Sequence, residues 1–237
     1  MQNQVVSRED WLKARLELLE AEKAFTRQRD ALTRRRMAMP WERVDKDYRF
    51  EGPGGALTLG ELFDGRSQLI VYHFMLGPDW KEGCTSCSFW ADNFNGIPVH
   101  LAHRDVTFTA VSRAPLPEIE SYRSRMGWSF PWVSCHGSDF NFDYDASFTP
   151  EQIAAGRATY NYGPKTGAVT ELVAISVFYR IPDGEAGAGE IFHTYSCYAR
   201  GVEALNGAYH YLDLVPKGRD EAGLDFSMAW LRRHDEY

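Results

Sequence analysis

The sequence predicts an α/β domain, with a central mixed sheet in a three-layer α/β/α arrangement, a helical extension before it and an aromatic-rich insertion within it. Three observations carry this. Residues 69–75 are apolar on both faces, as a central parallel strand is, and residues 106–112 read as another buried strand. The segment between them has helical spacing, so the three form a βαβ unit with a right-handed crossover. Further on, residues 171–181 and 190–198 flank a short turn at 182–189, the pattern of an antiparallel hairpin.

Taken in order, residues 7–37 read as one long helix. Ser7 and Asp10 have capping-box spacing. Trp11, Leu18, Phe25 and Leu32 recur every seven residues, with Leu12 and Leu19 beside them, which makes one apolar stripe on a charged helix. Pro40 ends it. This extension, residues 1–40, precedes a body of residues 41–237. The stripe needs a partner, either the body of its own chain or a second copy, and a homodimer is the expectation. Residues 48–54 suit a short strand entering a glycine-rich turn, and 57–63 a helical turn. The strand at 69–75 leads through a loop, 77–83, into Cys84-Thr85-Ser86-Cys87. Helical spacing then runs from 88 to 103 through Phe89, Trp90, Phe94, Ile97 and Leu101. Residues 115–126 form a helix with proline at its start.

Residues 128–167 carry nine aromatic rings between Trp128 and Tyr162, too many for a flexible linker. They predict a packed insertion walling a cleft near Cys84, with 132–135 as an edge strand. A helix is expected over 202–212. The polar segment 216–237 is expected to hold a short helix at 226–233.

Composition excludes several classes. With 237 residues, 44% hydrophobic and 25% charged, the chain is neither disordered, fibrous nor a small disulfide scaffold. The longest nearly apolar stretch, 69–76, is interrupted by His73 and is far shorter than a membrane span. The first residues have no apolar core, so no secretory signal is read there. The expected compartment is the cytoplasm, where thiols stay reduced. Residues 1–37 hold nine Lys/Arg and six Asp/Glu, a net of +3, while the remainder holds 17 and 27, a net of −10. That body is too acidic to bind nucleic acid, and no membrane partner is expected.

The order strand, CxxC at a helix start, helix, strand, helix, hairpin, helix is the thioredoxin-like layout, and CxxC near a βαβ pattern is read that way. A thiol at a helix start meets unpaired N–H groups that favour its anion. The second thiol, one turn on, can attack a mixed disulfide formed by the first. The segments REDWLKAR, GRSQLIVYHFMLGPDW, CTSC, RMGWSFPWVS, IFHTYSCYARG and WLRRHDEY make the sequence resemble a bacterial family of unknown function predicted to be thioredoxin-like dithiol–disulfide oxidoreductases. The resemblance covers essentially the whole chain. It implies the thioredoxin-like fold and matches Cys84 and Cys87 to that family's redox pair.

The chain departs from ordinary thioredoxins. Thr85-Ser86 replaces Gly-Pro, Gly83 rather than Trp precedes Cys84, and Trp80 stands nearby in a longer loop. No proline opens the hairpin, where residues 168–171 read Ala-Val-Thr-Glu. The GALTLGELF and FPWVS segments look like those of peroxiredoxins. The peroxiredoxin signature is nonetheless absent, since Pro78 lies six residues before Cys84 and Glu82 stands where threonine would follow.

Topology adds supporting residues. Arg113 ends the strand after the CxxC helix, and His193 belongs to the hairpin strand expected to return to the same sheet edge. Each suits thiolate stabilisation or an anionic substrate, or else a salt bridge for Arg113 and a satisfied strand position for His193. His73 is expected beneath the helix start, as a proton relay or as core. Cys135 and Cys197 are read as buried spectators, or else Cys135-His136 or His193-x3-Cys197 joins the CxxC pair as zinc ligands. The first reading is therefore a thiol–disulfide oxidoreductase with no cofactor, acting on a disulfide-containing protein or a small-molecule thiol substrate. The alternatives are a peroxiredoxin-like thiol peroxidase and a non-enzymatic metal-binding or redox-sensing module.

Overall fold

The computed structural model describes residues 3–237. The chain divides into two units, Met1–Pro40 and Trp41–Tyr237. The first is a single helix, α1 (Arg8–Met37). The Ser7 hydroxyl accepts from the Asp10 N–H at 3.1 Å, and Arg34, Arg35 and Arg36 fill the last turn, where the helix dipole favours cations. None of its described residues is buried.

The second unit has this order: β1 (Glu42–Arg43), β2 (Arg49–Gly52), β3 (Gly55–Thr58), a 3-10 turn (Glu61–Phe63), β4 (Gln68–His73), α2 (Thr85–Ala91), α3 (Ile97–Ala102), β5 (Val106–Ser112), α4 (Leu116–Arg125), β6 (Trp132–Ser134), α5 (Phe140–Asp143), α6 (Pro150–Ala154), β7 (Thr159–Tyr160), β8 (Gly163–Pro164), β9 (Ala174–Arg180), β10 (Ile191–Tyr198), a 3-10 turn (Ala199–Leu205) and α7 (Gly207–Leu212). The main sheet runs β1-β10-β9-β4-β5-β6-β2-β3. β4 pairs with β5 in parallel and with β9 antiparallel, and β9 and β10 form the hairpin. This is the thioredoxin-like arrangement, with the strand that leads into the CxxC helix at the centre.

Strand periodicity divides the core. On β4, Ile70 and Tyr72 join one cluster with Trp90, Ile119 and Tyr122 from α2 and α4, while Leu69 and Val71 join the other with Phe63, Phe140 and Phe50. The sheet thus separates a layer holding α2 and α4 from a layer holding α5 and the 3-10 turn at Glu61–Phe63.

Four details differ from the sequence pattern. The helical stretch 88–103 is two helices. The Asn93 amide turns back to the Phe89 carbonyl at 2.9 Å, and Gly96 adopts a left-handed φ of +81°, which re-aims the chain into α3. The stretch 202–212 is likewise divided, because the Asn206 side chain accepts from the Tyr209 N–H and starts α7 afresh. No helix forms over 226–233, where Glu221 captures the Met228 N–H and the Trp230 indole at 2.9 and 2.8 Å. β6 is not an edge strand, since β5 lies on one side and β2 on the other.

The aromatic insertion is ordered but does not form one wall. Trp128, Phe130 and Trp132 fill the α2 layer, while Val133, on the other face of β6, and Phe140 and Tyr144 fill the opposite layer. Among the described residues, no helix is long and apolar enough to cross a membrane.

Candidate active site

Beyond β4 the chain loops out over residues 77–83 and returns to its own strand end, where the Cys84 N–H donates to the Met75 carbonyl at 3.1 Å. Trp80 folds back over Gly77 so closely that a Cβ there would sit 2.9 Å from the indole nitrogen. Gly83 is more constrained, since a Cβ would meet the Phe74 and Tyr122 rings at 2.5–2.8 Å. A tryptophan cannot occupy the position before Cys84, which accounts for that departure from thioredoxins.

Cys84 is the N-cap of α2 and is partly exposed, whereas Cys87 lies one turn on and is buried. Hydrogen bonding from the Cys87 side chain is the largest influence on Cys84. The N–H groups of Cys87 and Ser86 and the Ser86 hydroxyl add to it against the cost of burial, and together they pull the Cys84 thiol down to about 6. With only seven residues, α2 offers these local donors rather than a long helix dipole. Burial first, and then the neighbouring Cys84, push the Cys87 thiol well above its ordinary value. The two environments favour an anion at the partly exposed Cys84 and a protonated thiol at the buried Cys87.

A side-chain brace holds this geometry. The Ser88 hydroxyl donates to the Cys84 carbonyl at 2.9 Å and contacts the Tyr122 hydroxyl at 2.8 Å. Arg233 donates to that hydroxyl and to the Gly83 carbonyl, each at 2.9 Å, and pairs with Glu82 at 3.0 Å. Arg125 joins Glu82 to Asp235 and Glu236. Residues 233–236 are thereby tied to the loop that precedes Cys84.

Behind the pair lies a mostly apolar cavity of about 230 Å³. Cys87, Tyr72, Trp90, Val173 and Met228 line it, and Ser86, Arg200 and Glu203 also contribute. Tyr160 props two backbone segments of its wall, donating to the Val173 carbonyl at 2.7 Å and accepting from the Ala199 N–H at 2.9 Å.

Of the residues singled out from sequence, Cys84, Cys87, Thr85 and Ser86 come together at the start of α2, and Trp80 packs against the same cluster. Three others do not join them. His73 points to the opposite face of β4. There it stacks on Phe140 and bonds Asn141 and Ser176 at 2.9 and 3.0 Å, and burial lowers it to about 4, so it is neutral and remote from the thiols. Arg113 reaches the sheet edge but is engaged by Glu171 at 2.6 Å and lies over the Phe142 ring. His193 is at the start of β10, paired with Phe178, which faces Leu69 at the far end of β4. It bonds Ser196 at 2.7 Å and Glu42 at 3.3 Å instead. Cys135 is in the opposite layer, where burial raises its thiol to about 12. Among the described residues, no three His, Cys, Asp or Glu side chains gather as a metal site. Tyr72, Ser88, Tyr122 and Arg233 were not signalled by any sequence motif.

A family described as "Bacterial protein of unknown function (DUF899)" matches residues 1–237. No curated protein matches the sequence. Solved structures to which it is similar include peroxiredoxin Q of Xylella fastidiosa, at 15% identity over 69% of this chain and 89% of that one, with a TM-score of 0.41. The bacterioferritin comigratory protein of Xanthomonas campestris is similar at 13% identity over 70% and 93% of the two chains, with a TM-score of 0.43. Peroxidoxin BcpB of Mycobacterium tuberculosis is similar at 12% identity over 70% and 94%, with a TM-score of 0.39.

Proposed function

We propose that this chain, which belongs to the family of bacterial proteins of unknown function (DUF899), is a thiol–disulfide oxidoreductase with Cys84 as nucleophile and Cys87 as resolving thiol. The observation that carries the reading is the opposed environment of the two sulfurs. Cys84 is accessible and ionised near neutrality, and Cys87 is buried, protonated and one helical turn away. Cys84 attacks a substrate disulfide and expels one thiolate. Cys87 then loses its proton to solvent and attacks the Cys84 sulfur, closing the intramolecular disulfide and expelling the second thiolate. Two thiols are oxidised and one substrate disulfide is reduced.

The substrate is a disulfide-bearing protein or small molecule reached from the Cys84 side. The test is trapping. A Cys87→Ser protein mixed with a model disulfide is expected to hold a stable mixed disulfide at Cys84, and a Cys84→Ser protein to hold none. Equal labelling of the two variants would overturn the reading. Rapid oxidation of Cys84 by hydroperoxide, with inertness toward disulfides, would make the protein a peroxidase instead.

A further inference from the structure

Tyr72 is fully buried, and its hydroxyl has no hydrogen-bond partner among the described residues. Such a group is costly to bury, so an unpaired hydroxyl at this depth calls for a reason. The ring is held rigidly. Its strand pairs on both sides, with Ala110 and Ile175 as neighbours, and the ring packs edge-on against Phe94 at 4.9 Å. Tyr72 and Cys87 line the same cavity, and each bears on the other's ionisation.

The resolving step requires Cys87 to become an anion in an apolar setting. Neither His73 nor Arg113 supplies a charge there, since His73 faces the other layer and Arg113 is bound to Glu171. We propose that Tyr72 is the positioning residue of this step, its free hydroxyl donating a hydrogen bond to the Cys87 thiolate as that anion forms. The inference rests on the oxidoreductase reading. Burial keeps the phenol protonated well beyond its ordinary range, so it remains a donor wherever Cys87 ionises. The titratable groups around it are Cys84 and Cys87 on α2 and Tyr160 of the insertion, with Arg200 and Glu203 on the cavity lining. The Cys87 proton leaves to solvent, and no other reactant is needed beyond the substrate disulfide.

The experiment is stopped-flow reaction of the reduced full-length protein with 5,5′-dithiobis(2-nitrobenzoate). One thionitrobenzoate is released when Cys84 attacks and a second when Cys87 resolves, and Cys84→Ser measures what the other thiols contribute. Tyr72→Phe removes only the oxygen. The first phase is expected to stay within twofold. The second is expected to slow about three- to tenfold, because losing a hydrogen bond to a charged group lowers the thiolate fraction more than it raises intrinsic nucleophilicity. In a Cys84→Ser background, the same change should raise the Cys87 titration midpoint, read by thiolate absorbance, by about one to two units. Thermal stability should be unchanged or higher, since an unpaired buried hydroxyl is lost. An unchanged second phase, or equal slowing of both phases, overturns the role of Tyr72. A missing Cys84-dependent first phase overturns the oxidoreductase reading itself.

Discussion

The Arg233 guanidinium donates to the carbonyl of Gly83, the residue immediately before Cys84 and 150 positions earlier in the chain, at 2.9 Å. The same side chain reaches Tyr122 and Glu82 and is largely buried. The conformation of the loop before Cys84 therefore depends on a segment that has no regular helix of its own before the turn at His234–Glu236.

Replacing Arg233 tests that dependence. Arg233→Ala leaves the Gly83 carbonyl and the Tyr122 hydroxyl each one partner short, a loss of roughly 1–3 kcal/mol. The expected outcome is a melting temperature lower by several degrees, together with faster amide exchange at residues 77–88. An unchanged exchange profile in that loop would show that the brace does not hold it.

Alkylation of Cys84 should follow its thiolate. With the thiol drawn down to about 6 by the Cys87 side chain and the nearby N–H groups, the iodoacetamide rate should rise through a midpoint near pH 6. Cys87→Ala removes the largest of those influences and should move the midpoint upward. The sign for stability is the same. Between pH 6 and about 8.5 the unfolded state holds the Cys84 proton that the native state has lost, so stability rises with pH. Cys84→Ser should flatten that rise in urea titrations. A midpoint near that of a free cysteine would contradict the polarised pair.

These sites differ in how far they can be read from sequence. Cys84 and Cys87 are legible because a CxxC between a buried strand and a helix is a local pattern. Tyr72 is not, because β4 is apolar on both faces and its period of two gives no contrast between the side toward α2 and the side toward Phe140. That one-residue ambiguity exchanges Tyr72 for His73. The place of His193 is hidden for a related reason, since the hairpin register fixes which end of β10 meets the carboxyl edge, and that end is Tyr198, paired with Ala174. Arg233 pairs across the chain's whole body, and no periodicity signals such a contact.

His73 should report on acid stability and not on redox chemistry. Burial holds its folded value near 4, below the ordinary 6.5, so the unfolded chain takes up a proton first as pH falls. Stability is full above about pH 6.5 and is lost between there and about pH 4. His73→Gln, which keeps partners for Asn141 and Ser176, should weaken that slope while leaving disulfide reduction at pH 7.5 within twofold. A large loss of turnover in a folded His73→Gln protein would restore the relay that the geometry argues against.

The α1 stripe makes the last prediction. Trp11, Leu18, Phe25 and Leu32 are 48%, 54%, 64% and 44% exposed, and a seven-residue spacing keeps them near one face over three intervals. Each large apolar side chain gains roughly 1.5–3 kcal/mol on full burial, so four of them form a costly surface to leave wet. The net −10 of the remainder offers an attractive partner for the net +3 of residues 1–37, on the same chain or on another, and the expectation is a homodimer in which the helix takes part. Light scattering at micromolar concentration should give twice the chain mass of 27.0 kDa. Leu18→Glu with Phe25→Glu, exposed positions whose change does not disturb the body's core, should give the single mass with the redox activity retained. A wild-type chain that is monomeric under the same conditions would rule out the dimer, and a dimer that survives both substitutions would move its interface off the helix.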